Sequence, residues 1–148
     1  MMKHIVVDAS VGIKTRVAEP HSDRAVAVLR TITRGTEIWV PDLFFVECAN
    51  VLWKYVRRAG YPLETAQADI FHLVNLPLTA IPTDEFVTEA LKLALAHDIT
   101  VYDACYLALA LRESAELVTA DEKLIHKLAP YDYPIHFLAH LTDQKLFS

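Results

Sequence analysis

Four acidic residues stand in apolar surroundings along the sequence, where a carboxylate has few ways to be solvated. They are Asp8 after Ile5-Val6-Val7, Glu47 after Leu43-Phe44-Phe45-Val46, Asp103 within the apolar stretch 99–111, and Asp121 after Leu117-Val118-Thr119-Ala120. A charge in such a setting is costly unless something pairs with it. We therefore expect the four carboxylates to converge on one site.

Carboxylates gathered at one place repel each other, so they hold protons or bind cations. A ligand set made only of oxygens, without His or Cys, suits Mg²⁺ or Mn²⁺ rather than Zn²⁺. Such ions also take phosphate oxygens as ligands, lower the pKa of an attacking water and stabilise charge on the leaving oxygen. The pattern predicts metal-dependent phosphodiester hydrolysis and leaves the substrate open.

Each acid also has a purely structural explanation. Asp103 and Asp121 could cap helices or favour their first turns, and Asp8 could begin an Asx-turn. Glu47 has the weakest such explanation, because the residues three and four positions away from it include no Lys or Arg. All four explanations would have to hold together for the site to be absent.

The elements that position these acids follow from the alternation of short apolar runs with helical patterns. Strands are predicted at 3–7, 37–40, 78–81, 116–119 and 135–138, and helices at 22–35, 42–60, 64–75, 83–95, 102–113 and 121–128. Ser22 is expected to cap the first helix, and the chain after 138 to be a short polar tail. The alternation predicts an α/β fold with a mostly parallel sheet, in which ligands bind at the carboxyl ends of the strands.

Length and composition indicate one folded domain, residues 1–148. A hydrophobic content of 53% with 22% charged residues excludes disorder as the main state. No apolar stretch reaches the roughly 18 residues needed to span a bilayer, and Asp8 interrupts any signal-peptide core. We expect a cytoplasmic protein with no membrane partner, in which Cys48 and Cys105 are small buried hydrophobes.

The charge is unevenly distributed along the chain. The net charge is −5, yet residues 1–58 carry nine Lys/Arg against six Asp/Glu, whereas residues 59–148 carry five against thirteen. A basic N-terminal portion could contact phosphates. The candidates for RNA phosphate contact are Lys14, Arg16, Lys54, Arg57 and Arg58, although Arg57 and Arg58 equally suit a helix C-terminus.

Four segments together resemble the landmarks of the PIN-domain nucleases, and in particular of VapC-type toxins. They are Val6-Val7-Asp8-Ala9-Ser10, Glu47 in its helix, Val101-Tyr102-Asp103-Ala104 with Tyr106-Leu107-Ala108-Leu109-Ala110, and Val118-Thr119-Ala120-Asp121. The resemblance covers nearly the whole chain in the right order. It implies a three-layer α/β/α domain and a Mg²⁺- or Mn²⁺-dependent endonuclease for single-stranded RNA.

The resemblance also implies roles for individual residues. Asp8 and Asp103 would be the principal metal ligands, and Glu47 and Asp121 would complete the acidic pocket. The hydroxyl groups of Ser10 and Thr119 would orient carboxylates or waters. Where relatives often have a Lys-Trp pair, this chain has Lys14-Thr15-Arg16, so substrate contacts at 14–16 are an open question.

The resemblance further implies an antitoxin that lays a helix on the toxin and brings an Arg to the carboxylates, which Arg binds bidentately. We place its groove in residues 41–76 and also expect a homodimer. Two alternatives stay open: a PIN-type nuclease of RNA processing without an antitoxin, and a non-catalytic PIN-like binding module. The aromatic residues Trp39, Trp53, Tyr102 and Tyr106 are expected in the core or at a dimer face.

Overall fold

The computed structural model describes residues 2–147, which form five strands and eight α-helices. The strands are β1 (His4–Val7), β2 (Glu37–Pro41), β3 (Thr79–Ile81), β4 (Glu116–Thr119) and β5 (Ile135–Phe137). The helices are α1 (Ala9–Lys14), α2 (Ser22–Arg30), α3 (Leu43–Ala59), α4 (Leu63–Val74), α5 (Val87–His97), α6 (Val101–Arg112), α7 (Glu122–Leu128) and α8 (Asp143–Phe147). Three 3₁₀ turns lie at Thr31–Arg34, Thr83–Glu85 and Leu138–His140.

The five strands form one sheet in the order β3-β2-β1-β4-β5, and every neighbouring pair is parallel. The predicted parallel sheet and the three-layer α/β/α arrangement are confirmed. The chain leaves β1 toward β2 on one side and returns to β4 on the other, so the order reverses between β1 and β4. Ligands in open α/β sheets bind at such a switch point, outside the carboxyl ends of the strands.

Helix α6 lies at the centre of the helical layer that packs on β1, β2 and β4. Its residues 104–110 are all buried, because the sheet covers one side and α5 another. This enclosure explains a helix that is apolar all round. Among residues 2–147 no single helix has the length and apolarity to cross a membrane; α5 and α6 meet that test only as a pair, bent by 116°.

Several predicted boundaries were wrong, each for a local reason. Helix α1 was not predicted at all, since its six residues are too few to show a periodic pattern. Ser22 is not the N-cap of α2; His21 holds that position with φ 68°, and the Ser22 hydroxyl donates to the Val17 carbonyl. The short polar tail expected after 138 contains α8.

The start of α5 was also predicted too early. Residues 83–85 form a 3₁₀ turn rather than the first turn of the helix. The Asp42 carboxylate holds this turn by accepting hydrogen bonds from the Thr83 backbone N–H at 3.1 Å and its hydroxyl at 2.6 Å. Helix α6 in turn begins at Val101, with Thr100 as its N-cap, so Asp103 lies in the first turn.

Helices α1 and α3 pack unusually close together at Gly12. A Cβ atom at this position would lie 2.6 Å from Cζ of Phe44, well inside van der Waals contact. The absent side chain therefore lets the helix that follows Asp8 approach the helix that carries Glu47. Cys48 lies at the same contact, and both cysteines are free and buried, as predicted.

Candidate active site

Asp8 lies at the carboxyl end of β1 and caps α1. Its backbone is extended, and its Oδ1 accepts hydrogen bonds from the Val11 N–H at 3.2 Å and the Ser10 hydroxyl at 2.5 Å. Its Oδ2 accepts from the Thr119 hydroxyl at 2.5 Å. The residue is only 5% exposed. Hydrogen bonds to both carboxylate oxygens thus hold the Asp8 side chain in one orientation.

Ser10 and Thr119 also connect Asp8 to the end of β4. The Ser10 hydroxyl oxygen accepts from the Ala120 N–H at 2.9 Å, and that of Thr119 accepts from the Asp121 N–H at 3.0 Å. The parallel register pairs Val7, the last residue of β1, with Val118, the last but one of β4, so the two strands end at nearly the same level. The hydroxyl groups of Ser10 and Thr119 therefore both hold the Asp8 carboxylate and accept backbone N–H groups at the end of β4.

Glu47 reaches the same region from α3, where it is half-buried. Its Oε1 accepts a hydrogen bond of 2.5 Å from the hydroxyl of Tyr106, which is 2% exposed. Sequence reasoning missed this partner and treated Tyr106 as a core or dimer residue. The signal was its position three residues after Asp103, which puts the two side chains on the same face of α6.

Asp103 and Asp121 occupy helix starts. Asp121 caps α7, with Oδ1 accepting from the N–H groups of Lys123 at 2.9 Å and Leu124 at 3.3 Å. The structural explanation proposed for Asp121 therefore holds, and it leaves room for a second role because both bonds go to one oxygen. Asp103 is half-buried and is not a cap, since Thr100 takes that position.

The charges of the four acids act on one another's pKa values, which shows that the four lie near each other. Burial raises the pKa of Asp8 from 3.8 to about 6, and the charge of Asp103 adds to this shift. Burial also raises the pKa of Glu47, with a further contribution from Asp103, although the Tyr106 hydroxyl opposes it. The pKa of Asp103 is raised by burial and by the charge of Asp121. Asp103 is thus the common neighbour of the other three.

The donor set suits a hydrated divalent cation. Within residues 2–147, no three His, Cys, Asp or Glu side chains are grouped closely enough to enclose a metal ion by themselves. Mg²⁺ commonly binds through one or two carboxylates and keeps several waters or phosphate oxygens, so a protein cage is not required. The mutually repelling carboxylates of the buried Asp8 and the half-buried Asp103 fit such an ion better than they fit Zn²⁺, which favours His or Cys.

Two cavities flank the carboxylates. One of about 330 Å³ adjoins Asp103 and Asp121 and includes the exposed Lys123. The other, of about 410 Å³, adjoins Glu47 and includes Tyr102. A chain that passes over Asp103 would therefore meet a concave surface on either side, within the size range of ligand sites.

Two of the basic residues considered for RNA contact are engaged within the chain. Lys14 lies 3.4 Å from Glu19, and Arg16 Nε lies 3.1 Å from the buried Asp69. Their charges are thus balanced locally at the place where relatives have a different pair. Lys54 remains exposed on α3.

A family model described as PIN domain matches residues 5–129, so the chain belongs to the PIN-domain family. It is similar to Ribonuclease VapC3 of Pyrobaculum aerophilum, with 35% identity over 125 residues, covering 83% of this chain and 93% of that protein. It is also similar to Ribonuclease VapC12 of Mycobacterium tuberculosis, with 29% identity over 120 residues, covering 81% and 88%. The resemblance to the VapC-type group is thereby confirmed.

A solved structure described as a toxin-antitoxin complex from Klebsiella pneumoniae shares the fold. Its TM-score with this chain is 0.64 at 15% identity, covering 90% of this chain and 97% of that one. This similarity is one of fold, and it extends over nearly the whole length of both chains.

Proposed function

We propose that the protein is a metal-dependent endonuclease for single-stranded RNA and the toxin of a toxin–antitoxin pair. The observation that carries this proposal is the group of carboxylates at the switch point between β1 and β4, of which Asp8, Glu47 and Asp103 have pKa values raised by burial. Such a cluster is unfavourable unless a cation or protons relieve it. The names of the VapC relatives support ribonuclease activity.

In this proposal Asp8 and Asp103 would hold a Mg²⁺ or Mn²⁺ ion, and Glu47 and Asp121 would complete the acidic pocket, some of them through water. When bound, such an ion would lower the pKa of the attacking water and stabilise negative charge on the leaving oxygen. A carboxylate with a raised pKa accepts protons more readily near neutral pH. Glu47 therefore takes the proton of the attacking water while Tyr106 fixes its orientation.

The test is RNA cleavage by the Asp8→Asn and Asp103→Asn variants. Each should lose cleavage of a labelled single-stranded RNA in Mg²⁺ or Mn²⁺, and cellular toxicity, while circular dichroism shows an intact fold. Asp132→Asn, at an exposed carboxylate outside the site, is the matched control and should cleave normally. Full activity in either site variant, or of the wild type in excess EDTA, would refute the mechanism.

The proposed antitoxin site is an apolar groove between α3 and α4, a cavity of about 210 Å³. Leu52, Trp53, Val56 and Ile70 are among its lining residues, within the range 41–76 expected to bind the antitoxin. The toxin-antitoxin neighbour from Klebsiella pneumoniae supports such a partner. Val56→Ala should weaken binding of the protein encoded beside this gene more than Phe45→Ala, which lies outside the cavity lining; equal affinities would place the antitoxin elsewhere.

The two alternatives predict different results. A nuclease of RNA processing would cleave RNA but have no protein partner encoded beside it, and a binding module would take up no Mn²⁺ in calorimetry.

We also propose a homodimer in the cytoplasm, supported by the exposed apolar row Val87, Leu91 and Leu95 on α5. Leu91→Glu should then lower the mass measured by analytical ultracentrifugation from that of a dimer to that of a monomer. An unchanged mass would exclude this face of α5 as the dimer interface.

A further inference from the structure

The cavity of about 410 Å³ beside Glu47 opens directly from the carboxylate cluster. Ala9 and Tyr102 line it, and these residues are the chain neighbours of Asp8 and Asp103. The start of α1, one face of α3 and the first turn of α6 therefore form its walls. Anything bound in this cavity lies next to the site of the proposed reaction.

Tyr102 is the unusual wall of this cavity. It is 63% exposed, whereas Tyr106, one turn later on the same helix, is 2% exposed. Of the two positions expected for Tyr102, the core is therefore wrong, and a dimer face stays a prediction. An exposed aromatic ring on the wall of this cavity offers a flat surface for stacking.

The facing wall is a row of residues four positions apart on α3: Val46, Asn50 and Lys54. Residues at this spacing lie along one side of a helix. The row leads away from Glu47, first to an amide and then to an ammonium group. Across residues 2–147, no hydrogen bond, ion pair or ring contact engages the side chain of Asn50, Lys54 or Tyr102.

Three unpartnered groups of different chemistry thus share one cavity, and together they match the parts of a nucleotide. Bases of single-stranded RNA stack on aromatic rings. An amide side chain offers both donors and an acceptor to a base edge. A lysine neutralises a backbone phosphate.

We propose that this cavity binds the nucleotide next to the cleaved phosphodiester, with Tyr102 stacking on its base, Asn50 selecting the base and Lys54 binding the following phosphate. This inference rests on the proposed ribonuclease function, because it takes the carboxylate cluster as the place where the chain is cut. Tyr102 and Asn50 are then determinants of where the RNA is cleaved.

The binding test needs no metal. A fluorescein-labelled single-stranded RNA oligonucleotide is titrated with wild type, Tyr102→Ala, Tyr102→Phe and Tyr131→Ala in EDTA, and fluorescence anisotropy gives Kd. Loss of a base–aromatic stack should raise Kd about 5- to 100-fold in Tyr102→Ala. Tyr102→Phe keeps the ring and should bind like wild type. Tyr131→Ala removes an exposed tyrosine that lies outside this cavity and should also bind like wild type.

The selectivity test uses RNAs that differ only in the base at the position next to the cleavage site. The wild type should prefer one base, and Asn50→Ala should cleave the set more evenly. Lys54→Ala should weaken binding similarly for every sequence and lower the slope of log Kd against log salt by about 0.7. Lys92→Ala, at an exposed lysine on α5, is its control and should leave that slope unchanged.

The outcomes separate the two proposals. If the wild type does not cleave RNA in Mg²⁺ or Mn²⁺, the proposed function fails, and the anisotropy experiment alone then decides whether the cavity binds RNA. If the wild type cleaves but Tyr102→Ala keeps its Kd, KM and cleavage pattern, the nucleotide cavity is wrong and the function stands. If Tyr102→Ala loses only antitoxin affinity, Tyr102 belongs to a protein interface and the inference is likewise wrong.

Discussion

The buried carboxylate of Asp8 should make the metal-free protein less stable as the pH rises. Burial raises its pKa from 3.8 to about 6. For an acid whose pKa is higher in the folded state, the folded protein binds more protons than the unfolded chain between these values. The resulting stability is fully present below pH 3.8 and is lost as the pH rises through about 6. A shift of about two units corresponds to about 3 kcal/mol.

Asp8→Asn should remove this penalty. The amide oxygen can still accept from the Val11 N–H and the Ser10 hydroxyl, which contact Oδ1 of Asp8. The Thr119 hydroxyl, which donates to Oδ2, can rotate to accept from the NH₂ group instead. We set the cost at about one hydrogen bond, or about 1 kcal/mol, which leaves a net gain of about 2 kcal/mol at pH 8. For a chain of this length, that raises Tm by about 4–8 °C.

The assay is thermal unfolding in EDTA between pH 4 and pH 8, followed by circular dichroism. The variant should be the more stable protein at pH 8 and should lose its advantage near pH 4, where Asp8 is protonated in the folded wild type. Saturating Mn²⁺ should stabilise the wild type, by about 2.7 kcal/mol at 100 times Kd, and the variant much less. A difference in Tm that does not change with pH would refute the assignment of a buried, uncompensated charge to Asp8.

Three further predictions concern groups that support the site. Tyr106→Phe removes the hydroxyl that lowers the pKa of Glu47, so the acid limb of the pH–rate profile of RNA cleavage should move to higher pH; an unmoved limb would separate Glu47 from proton transfer. Gly12→Ala places a Cβ against the ring of Phe44 and should lower the free energy of unfolding in urea by about 1–3 kcal/mol; wild-type stability would show that α1 and α3 can separate freely. Asp69→Ala removes a buried carboxylate that pairs with the partly exposed Arg16 and should cost about 2 kcal/mol in the same urea assay; a loss near zero would mean that this ion pair does not help to join the segment after α1 to α4.

The sequence predicted those features that depend on strong local signals. Continuous β-branched runs such as Ile5-Val6-Val7 have few alternatives to a buried strand. Acids placed just after such strands must lie at one edge of a parallel sheet, which is why the sequence alone predicted that Asp8 and Asp121 follow the ends of strands at the same edge. Glu47 could be added because its apolar helical face offered it no cation.

The features that could not be predicted depend on contacts between distant segments. The bond from Tyr106 to Glu47 joins residues 59 positions apart, and no local pattern encodes it. The core was the default expectation for Tyr102 because the run around it is apolar, and burial is the usual state of such a residue. The cap of α2 was assigned to Ser22 by its type, whereas the structure uses that hydroxyl to hold the preceding loop.

The first turn of α6 explains why one apolar helix can serve a polar site. Consecutive residues of a helix point about 100° apart, whereas residues three or four positions apart lie on the same side. Asp103 can therefore lie among the other carboxylates while Tyr102, next to it, faces the solvent. Tyr106 points between the directions of Tyr102 and Asp103 but lies one turn deeper, where its hydroxyl reaches Glu47. Because residues 104–110 are all buried, the rest of the helix is anchored in the core. Helix geometry then fixes the directions in which the side chains of Tyr102, Asp103 and Tyr106 leave the backbone, and a substitution at one should leave those directions unchanged for the other two.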